Sequence, residues 1–412
     1  MRRLILFPVV FVCVLAAACV AIAWHPAIDP VVPSATFDPA AVVRGAELAA
    51  IGDCMVCHTQ AGGRPYAGGR PVATPFGTVT ATNITPDPDT GIGRWSLAAF
   101  TRAMRQGIDR AGRHLYPVLP YPHFTRANDA DIAALYAFIM TRAPVHQADK
   151  ANDLPFPYNQ RILLAGWNLL FLQPGRWRPD PAHDAVWNRG AYLVEAIGHC
   201  GACHSPHNTL GAEAQGETLA GGPVDDWFAP PLQASARPWT EGALATYLRT
   251  GFEVAHGAAA GPMTAVTDEL SSIPDADIQA IATYIAAQTP SGEPPALPAS
   301  HRDTDRRAAA LFAGACGGCH AGDAPMSQAG APPLSVSAAV NASTPQSAVA
   351  VILHGIPWRD GKAAPYMPAF ADALTDAQVA DLAAWVRATY TRLPPWPDIP
   401  SAVARARRQD PS

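Results

Sequence analysis

The sequence predicts an all-α protein of three tandem copies of one helical unit behind an apolar N-terminal segment. Three observations carry this. The motif Cys-x-x-Cys-His occurs three times in 412 residues, at Cys54–His58, Cys200–His204 and Cys316–His320. Each copy is preceded by a matching short helical pattern: Arg44-Gly45-Ala46-Glu47-Leu48, Arg189-Gly190-Ala191-Tyr192-Leu193 and Arg307-Ala308-Ala309-Ala310-Leu311. Each is followed, after a Gly/Pro-rich stretch, by a helix with an acidic start and a 3.6-residue apolar period: Asp131 to Ile139, Asp277 to Ile285 and Asp376 to Val386. Repetition at this scale argues for one supersecondary unit used three times and against an alternating strand–helix reading. Within each unit, Phe138, Tyr284 or Trp385 on the last helix falls opposite the small residue of the first, a pairing that lets two helices cross closely.

The elements follow in chain order. Arg2 and Arg3 precede an uncharged run from Leu4 to Ala23, so residues 1–24 read as a signal peptide or a membrane anchor. Its 20 residues suffice to cross roughly 30 Å of hydrocarbon, which favours retention, although Ala21-Ile22-Ala23 offers a cleavage site. Either way the rest of the chain is expected on the periplasmic side of a bacterial inner membrane. Cys13 and Cys19 in this run read as small apolar fillers. The first unit is expected over 36–143, the second over 181–289 and the third over 301–393. Residues 144–180 form an interdomain segment rich in Leu and Trp, 290–300 a proline-rich linker, and 394–412 a polar tail.

Composition removes several function classes. The net charge is −5 and Lys150 and Lys362 are the only lysines, so no basic stripe exists to neutralise phosphates. No nucleophile triad, phosphate loop or dinucleotide fingerprint is present. No independent active site is therefore expected.

The motif itself carries the chemistry. Two cysteines three positions apart on a helical turn present both sulfurs to one side, where they can add to the vinyl groups of a haem; the adjacent histidine then ligates the iron. A zinc ribbon needs paired knuckles, a thioredoxin-type pair follows a strand, and a disulfide over so short a loop adds little; the surroundings suit none of these. Three covalently attached haems c are expected, on Cys54 and Cys57, Cys200 and Cys203, and Cys316 and Cys319, with His58, His204 and His320 as iron ligands. Met263 and Met367, in proline-flanked loops, are the expected sixth ligands of the second and third irons, with His256 and His354 in reserve. In the first unit Leu119 stands where the others have methionine, so His123 is the preferred substitute, His114 the second choice and an open site the third. Met104 reads as core, and His199 and His207 as exposed or propionate-facing.

Thr74-Pro75-Phe76-Gly77, Thr82-Asn83-Ile84-Thr85-Pro86-Asp87, Gly91-Ile92-Gly93-Arg94-Trp95 and Gly198-His199-Cys200-Gly201-Ala202-Cys203-His204 resemble the three-haem cytochrome c subunit of membrane-bound periplasmic dehydrogenases, over nearly the whole chain. That resemblance implies three fused class-I cytochrome c domains. They would pass electrons from a catalytic dehydrogenase subunit to ubiquinone or another respiratory acceptor at the membrane. Leu119 and the following Pro122-His123-Phe124-Thr125 look more like the branch that serves molybdenum hydroxylases, which oxidise aldehydes or N-heteroaromatics, than those serving quinoprotein alcohol or flavoprotein gluconate or sorbitol dehydrogenases, so an aldehyde-oxidising molybdenum partner is favoured. A haem enzyme with an open first site is the competing class.

Overall fold

A computed structural model describes residues 23–32, 36–233, 238–289, 306–322, 324, 333–358 and 366–408. The apolar run before Ala23, the linker at 290–300 and the last four residues lie outside them. The described chain forms two compact units, Met1–Arg178 and Pro179–Ser412 by their bounds. Among the described residues no helix is long and apolar enough to cross a membrane.

In the first unit, α1 (Pro39–Ile51) starts where Asp38 accepts a hydrogen bond from the Ala40 amide at 3.1 Å, with Pro39 in the first turn. The motif turn α2 (Cys54–Cys57) follows directly. Next come a hairpin of β1 (Pro71–Thr74) and β2 (Gly77–Thr80), and α3 (Leu97–Gln106), capped by Ser96 and ended by left-handed Gly107. After the single turn α4 (Tyr121–Phe124), α5 (Asp129–Met140) begins at Asn128, whose side chain accepts from the Asp131 amide at 2.7 Å. Helices α1 and α5 cross at Gly45: a Cβ there would stand 2.0 Å from the Ala134 carbonyl oxygen and 2.6 Å from the Cβ of Phe138. This is the small-against-aromatic crossing expected from the sequence. Met104 is buried, as its helical position predicts.

The chain after α5 does not leave this unit at once. Asp153 and Thr78 exchange backbone hydrogen bonds at 2.8 and 2.9 Å, and buried Asn83 donates to the Val145 carbonyl at 2.8 Å. The turn-rich motif Thr82–Asp87 is thus a lock for the returning strand: Asp87 Oδ1 accepts from the Thr90 amide, and Asn83 Oδ1 from Thr85. Helix α6 (Leu163–Phe171) then packs Ala165 and Asn168 inward, the latter accepting from the Tyr121 hydroxyl at 2.6 Å.

The second unit holds two helical cores. The first comprises α7 (Ala185–Tyr192), a π turn at Leu193–Ile197, the motif turn α8 (Gly201–His204), and a hairpin of β3 (Gly222–Val224) and β4 (Trp227–Ala229). Helix α9 (Glu241–Thr250) follows, then a small hairpin of β5 (Phe252–Glu253) and β6 (Gly257–Ala258), α10 (Pro262–Leu270) and α11 (Asp275–Gln288). The Gly45 crossing recurs at Gly190, where a Cβ would stand 1.9 Å from the Ala280 carbonyl oxygen and 2.8 Å from the Cβ of Tyr284. Arg189 and Asp277 form a two-pronged ion pair (2.8 and 3.0 Å) across it, as Arg44 and Asp131 do more loosely at 3.5 Å.

The other core comprises α12 (Arg306–Ala315), the motif turn α13 (Gly317–His320), α14 (Ala338–Asn341), α15 (Gln346–His354), α16 (Asp376–Tyr390) and α17 (Ile399–Ala406). Phe312 and Trp385 stack with centroids 4.7 Å apart. Residues 394–412, expected from the sequence to be a polar tail, fold in part. Ile399, Ala402, Val403 and Ala406 form one apolar stripe of α17 and join this core with Trp396. Buried Arg387 binds the stretch before α17, donating to the carbonyls of Val340 (2.6 Å), Ala342 (3.0 Å) and Pro394 (3.2 Å) with its guanidinium over the Trp396 ring. Methionine at 387 keeps the apolar stem and strands these acceptors. Such a variant is expected to lose about 1–3 kcal/mol, read as a lower thermal midpoint of this core; an unchanged midpoint would show that the carbonyls find water.

The helical class of the fold holds, with three two-stranded hairpins among the described residues that an all-α reading does not include. Each is only two to four residues a strand, too short for the period-2 pattern to stand out.

Candidate functional site

Each motif lies on the first turn after the opening helix, where a break in that helix re-aims the chain. In the first unit Asp53 takes a left-handed conformation (φ 51°) immediately before Cys54. In the second, the π turn and left-handed His199 (φ 38°) do the same before Cys200. None of the six motif cysteines is joined in a disulfide; Cys57 and Cys319 are exposed and the others half-buried. Burial, aided by neighbouring Cys203, pushes the Cys200 thiol up to about 12, so this sulfur is held protonated.

The histidines are oriented by their own backbone. His58 Nδ1 lies 2.7 Å from the Thr82 carbonyl, and His204 Nδ1 lies 2.7 Å from the Pro230 carbonyl. A carbonyl only accepts, so the proton sits on Nδ1 and the lone pair on Nε2. Burial lowers the pKa of both rings, against the opposing pull of these carbonyls, and burial also lowers that of His320. Neutral imidazole with Nδ1 tied to a carbonyl is the state a metal-ligating histidine adopts. Two thiols and such an imidazole on one turn form a donor set that fits a covalently held haem. For His320 the following loop, 325–332, lies outside the described residues.

The second site is also braced from the neighbouring core of its unit. Ser347 on α15 accepts from the Phe228 amide (2.9 Å) and donates to the Phe228 carbonyl (3.1 Å), two residues before Pro230.

Downstream of each motif the chain keeps a register that motif spacing alone does not reveal. Helices α3, α9 and α15 end at glycines 107, 251 and 355, with φ of 63°, 74° and 70°. Twelve residues on from these stand Leu119, Met263 and Met367 (119 − 107, 263 − 251, 367 − 355). In the first two the intervening chain folds alike: Leu115 N donates to Gly107 O, and Ala259 N to Gly251 O. Leu119 therefore shares the chain register of Met263, though Met263 lies in the first turn of a helix and Leu119 two residues before one. Met263 lies half-buried in the first turn of α10, and Met367 half-buried in a bridge with Ile356.

The reserve histidines fall as follows. His123 is half-buried in α4, four residues past the register position. His114 is buried beside the N-terminal segment, with Nε2 3.0 Å from the Ala23 carbonyl and its ring edge-on to His25. The side chain of His256 is 8% exposed, stacked on Trp239 at 3.5 Å with Nδ1 2.7 Å from Glu253. His354 closes α15.

Comparison with known proteins agrees with this arrangement. Residues 42–143 match the family model described as Cytochrome c, and residues 185–285 and 303–386 match that of Cytochrome C oxidase, cbb3-type, subunit III. The chain is 49% identical over 97% of its length to a nicotinate dehydrogenase subunit of Pseudomonas putida, but spans only 34% of that protein. It is 38% identical to the gluconate 2-dehydrogenase cytochrome c subunit of Pantoea cypripedii, covering 85% of this chain and 86% of that one. It is 36% identical to the quinone alcohol dehydrogenase cytochrome c subunit of Komagataeibacter europaeus, covering 86% and 81%. With three motif turns and two cytochrome relatives this similar along most of their length, the chain belongs to the cytochrome c subunits of dehydrogenases.

Proposed function

We propose that all three motif turns hold haem c and that the chain relays electrons from a catalytic dehydrogenase to ubiquinone or another respiratory acceptor at the periplasmic face of a membrane. The observation that carries this is the threefold recurrence of two thiols and a backbone-oriented or buried imidazole on one turn. Haem bound there takes up and returns one electron at a time. The cysteines would fix it as thioethers, and Nε2 of His58, His204 and His320 would be the iron-ligating nitrogen. The Thr82 and Pro230 carbonyls keep two of these rings in the correct tautomer. Met263 and Met367 would offer soft thioether ligands, which favour the reduced iron. At the first site Leu119 cannot ligate, and His123 in the adjoining turn is assigned the role. Two imidazoles there would hold that site at the lowest potential of the three.

The partner is assigned as a molybdenum hydroxylase acting on an aldehyde or an N-heteroaromatic ring. Its support is Leu119 at the methionine register and the 49% identity to a protein named for nicotinate oxidation. The gluconate and alcohol dehydrogenase cytochromes, at 36–38%, support the second reading, a flavoprotein or quinoprotein partner. Isolating the intact complex tests both levels. The alkaline pyridine spectrum is expected to give three haems per chain, and metal analysis to find molybdenum. Two haems would remove one motif from the relay; pyrroloquinoline quinone without molybdenum would give the partner to the second reading. Carbon monoxide binding by the reduced chain would indicate an open first site and favour a haem enzyme.

A further inference from the structure

Helix α6 has the wrong polarity for a helix facing water. Its inner side carries Asn168, which accepts from the Tyr121 hydroxyl and donates to the Gln106 carbonyl at 3.3 Å, with Ala165 buried beside it. Its outer side is apolar. Ile162, Leu163, Leu169 and Leu170 are 61%, 54%, 71% and 65% exposed, and Gly166 is the fifth member of the same face. At 100° per residue these five fall within one strip of about 120°. Phe156, 79% exposed, continues the surface just before the helix. Four large aliphatic side chains presented together to water form a contiguous apolar patch, which a chain gains by covering.

What covers this face is indicated by charge and chain path. Between Leu154 and Pro179 there are three arginines (161, 176 and 178) and no acid, with Trp167 and Trp177 interspersed. An apolar stripe with aromatics and arginines and no carboxylate suits the boundary between anionic headgroups and acyl chains. Ala23, the last residue of the apolar run, also lies at this place. The Ala23 carbonyl is 3.0 Å from His114 Nε2, and the His114 carbonyl accepts from Arg161 Nη1 at 2.8 Å, one residue before Ile162. Ala23 and the start of α6 are thus pinned to the same residue.

We infer that the outer face of α6 lies in the bilayer interface, holding the first haem unit flat against the membrane independently of the N-terminal run. This rests on the membrane-associated reading above and names the surface that makes the contact. The test uses the haem-loaded full chain with Cys13 and Cys19 changed to alanine. A nitroxide is attached at Leu169→Cys or, as control, at Ala61→Cys on the exposed loop after His58. With vesicles of phosphatidylcholine and phosphatidylglycerol, the label at 169 is expected to collide several-fold more with oxygen than with a nickel chelate, and the label at 61 the reverse. If the chain is vesicle-bound while position 169 stays open to the chelate, the surface assignment fails and membrane association stands. If position 169 is shielded from both probes, protein covers it, and the inference is overturned. If the chain does not bind vesicles at all, the membrane reading itself fails. Leu169→Glu with Leu170→Glu, which disturbs no buried contact, is expected to make the vesicle-bound chain extractable at a lower detergent concentration; unchanged extraction would count against the inference.

Discussion

Alanine at Gly190 or Gly45 is expected to destabilise the helical core it belongs to. At Gly190 the new Cβ would stand 1.9 Å from a backbone oxygen of α11, and at Gly45 2.0 Å from one of α5. Neither obstacle can rotate away, because each is a helix carbonyl already engaged in its own ladder. The two helices must part by more than an ångström, loosening the Tyr284 or Phe138 packing and stretching the Arg189–Asp277 or Arg44–Asp131 pair. Such overpacking costs about 1–3 kcal/mol, occasionally more, against a helix-propensity gain of about 1 kcal/mol from replacing glycine. The net effect is a thermal midpoint several degrees lower by far-ultraviolet circular dichroism. Gly166 in α6 is the internal control: nothing lies within 4 Å of its Cβ position, so Gly166→Ala is expected to be neutral or stabilising by up to about 1 kcal/mol. A fall at 166 equal to that at 190 would mean that steric crowding is not the cause.

The second large effect is expected at the motif turns. Replacing Cys200 and Cys203 together by alanine should lower covalent haem from three to two per chain, with the haem-stained band retained on denaturing gels. The same double change at Cys54 and Cys57 should remove the site assigned to His58 and His123, and with it the component of lowest potential in a redox titration. If the component lost with the first motif is instead of high potential, the assignment of an imidazole opposite His58 is wrong. If either double variant keeps three haems, the relay reading loses the corresponding site.

Much of this was legible in the chain itself because it depends on local chemistry. Cys-x-x-Cys-His brings its donors together within one turn, so no long-range contact is needed to recognise the set. The helix-crossing glycines were legible because Arg-Gly and its partner aromatic recur at matched offsets. The three hairpins were not, since two to four residues carry too little period to separate strand from loop. Helix α17 is not legible in the sequence because its stripe (Ile399, Ala402, Val403, Ala406) is short and shares the segment with Arg405 and the Arg407 and Arg408 that follow it, and it becomes informative only once the neighbouring core is seen to accept it. The register from Gly107, Gly251 and Gly355 was present in the sequence, but its meaning comes from the left-handed turn that each glycine makes.

The sequence by itself determined the repeat, the donor sets and the apolar run at the N-terminus, since each is a matter of residue type at fixed spacing. Tertiary structure alone decided what each lone side chain does. It committed His114 to the Ala23 carbonyl and turned the apolar side of α6 outward. The physical reason is that a single histidine or leucine has the same local propensity in a core, at a ligand site or on a docking face, and only the groups packed against it tell these apart.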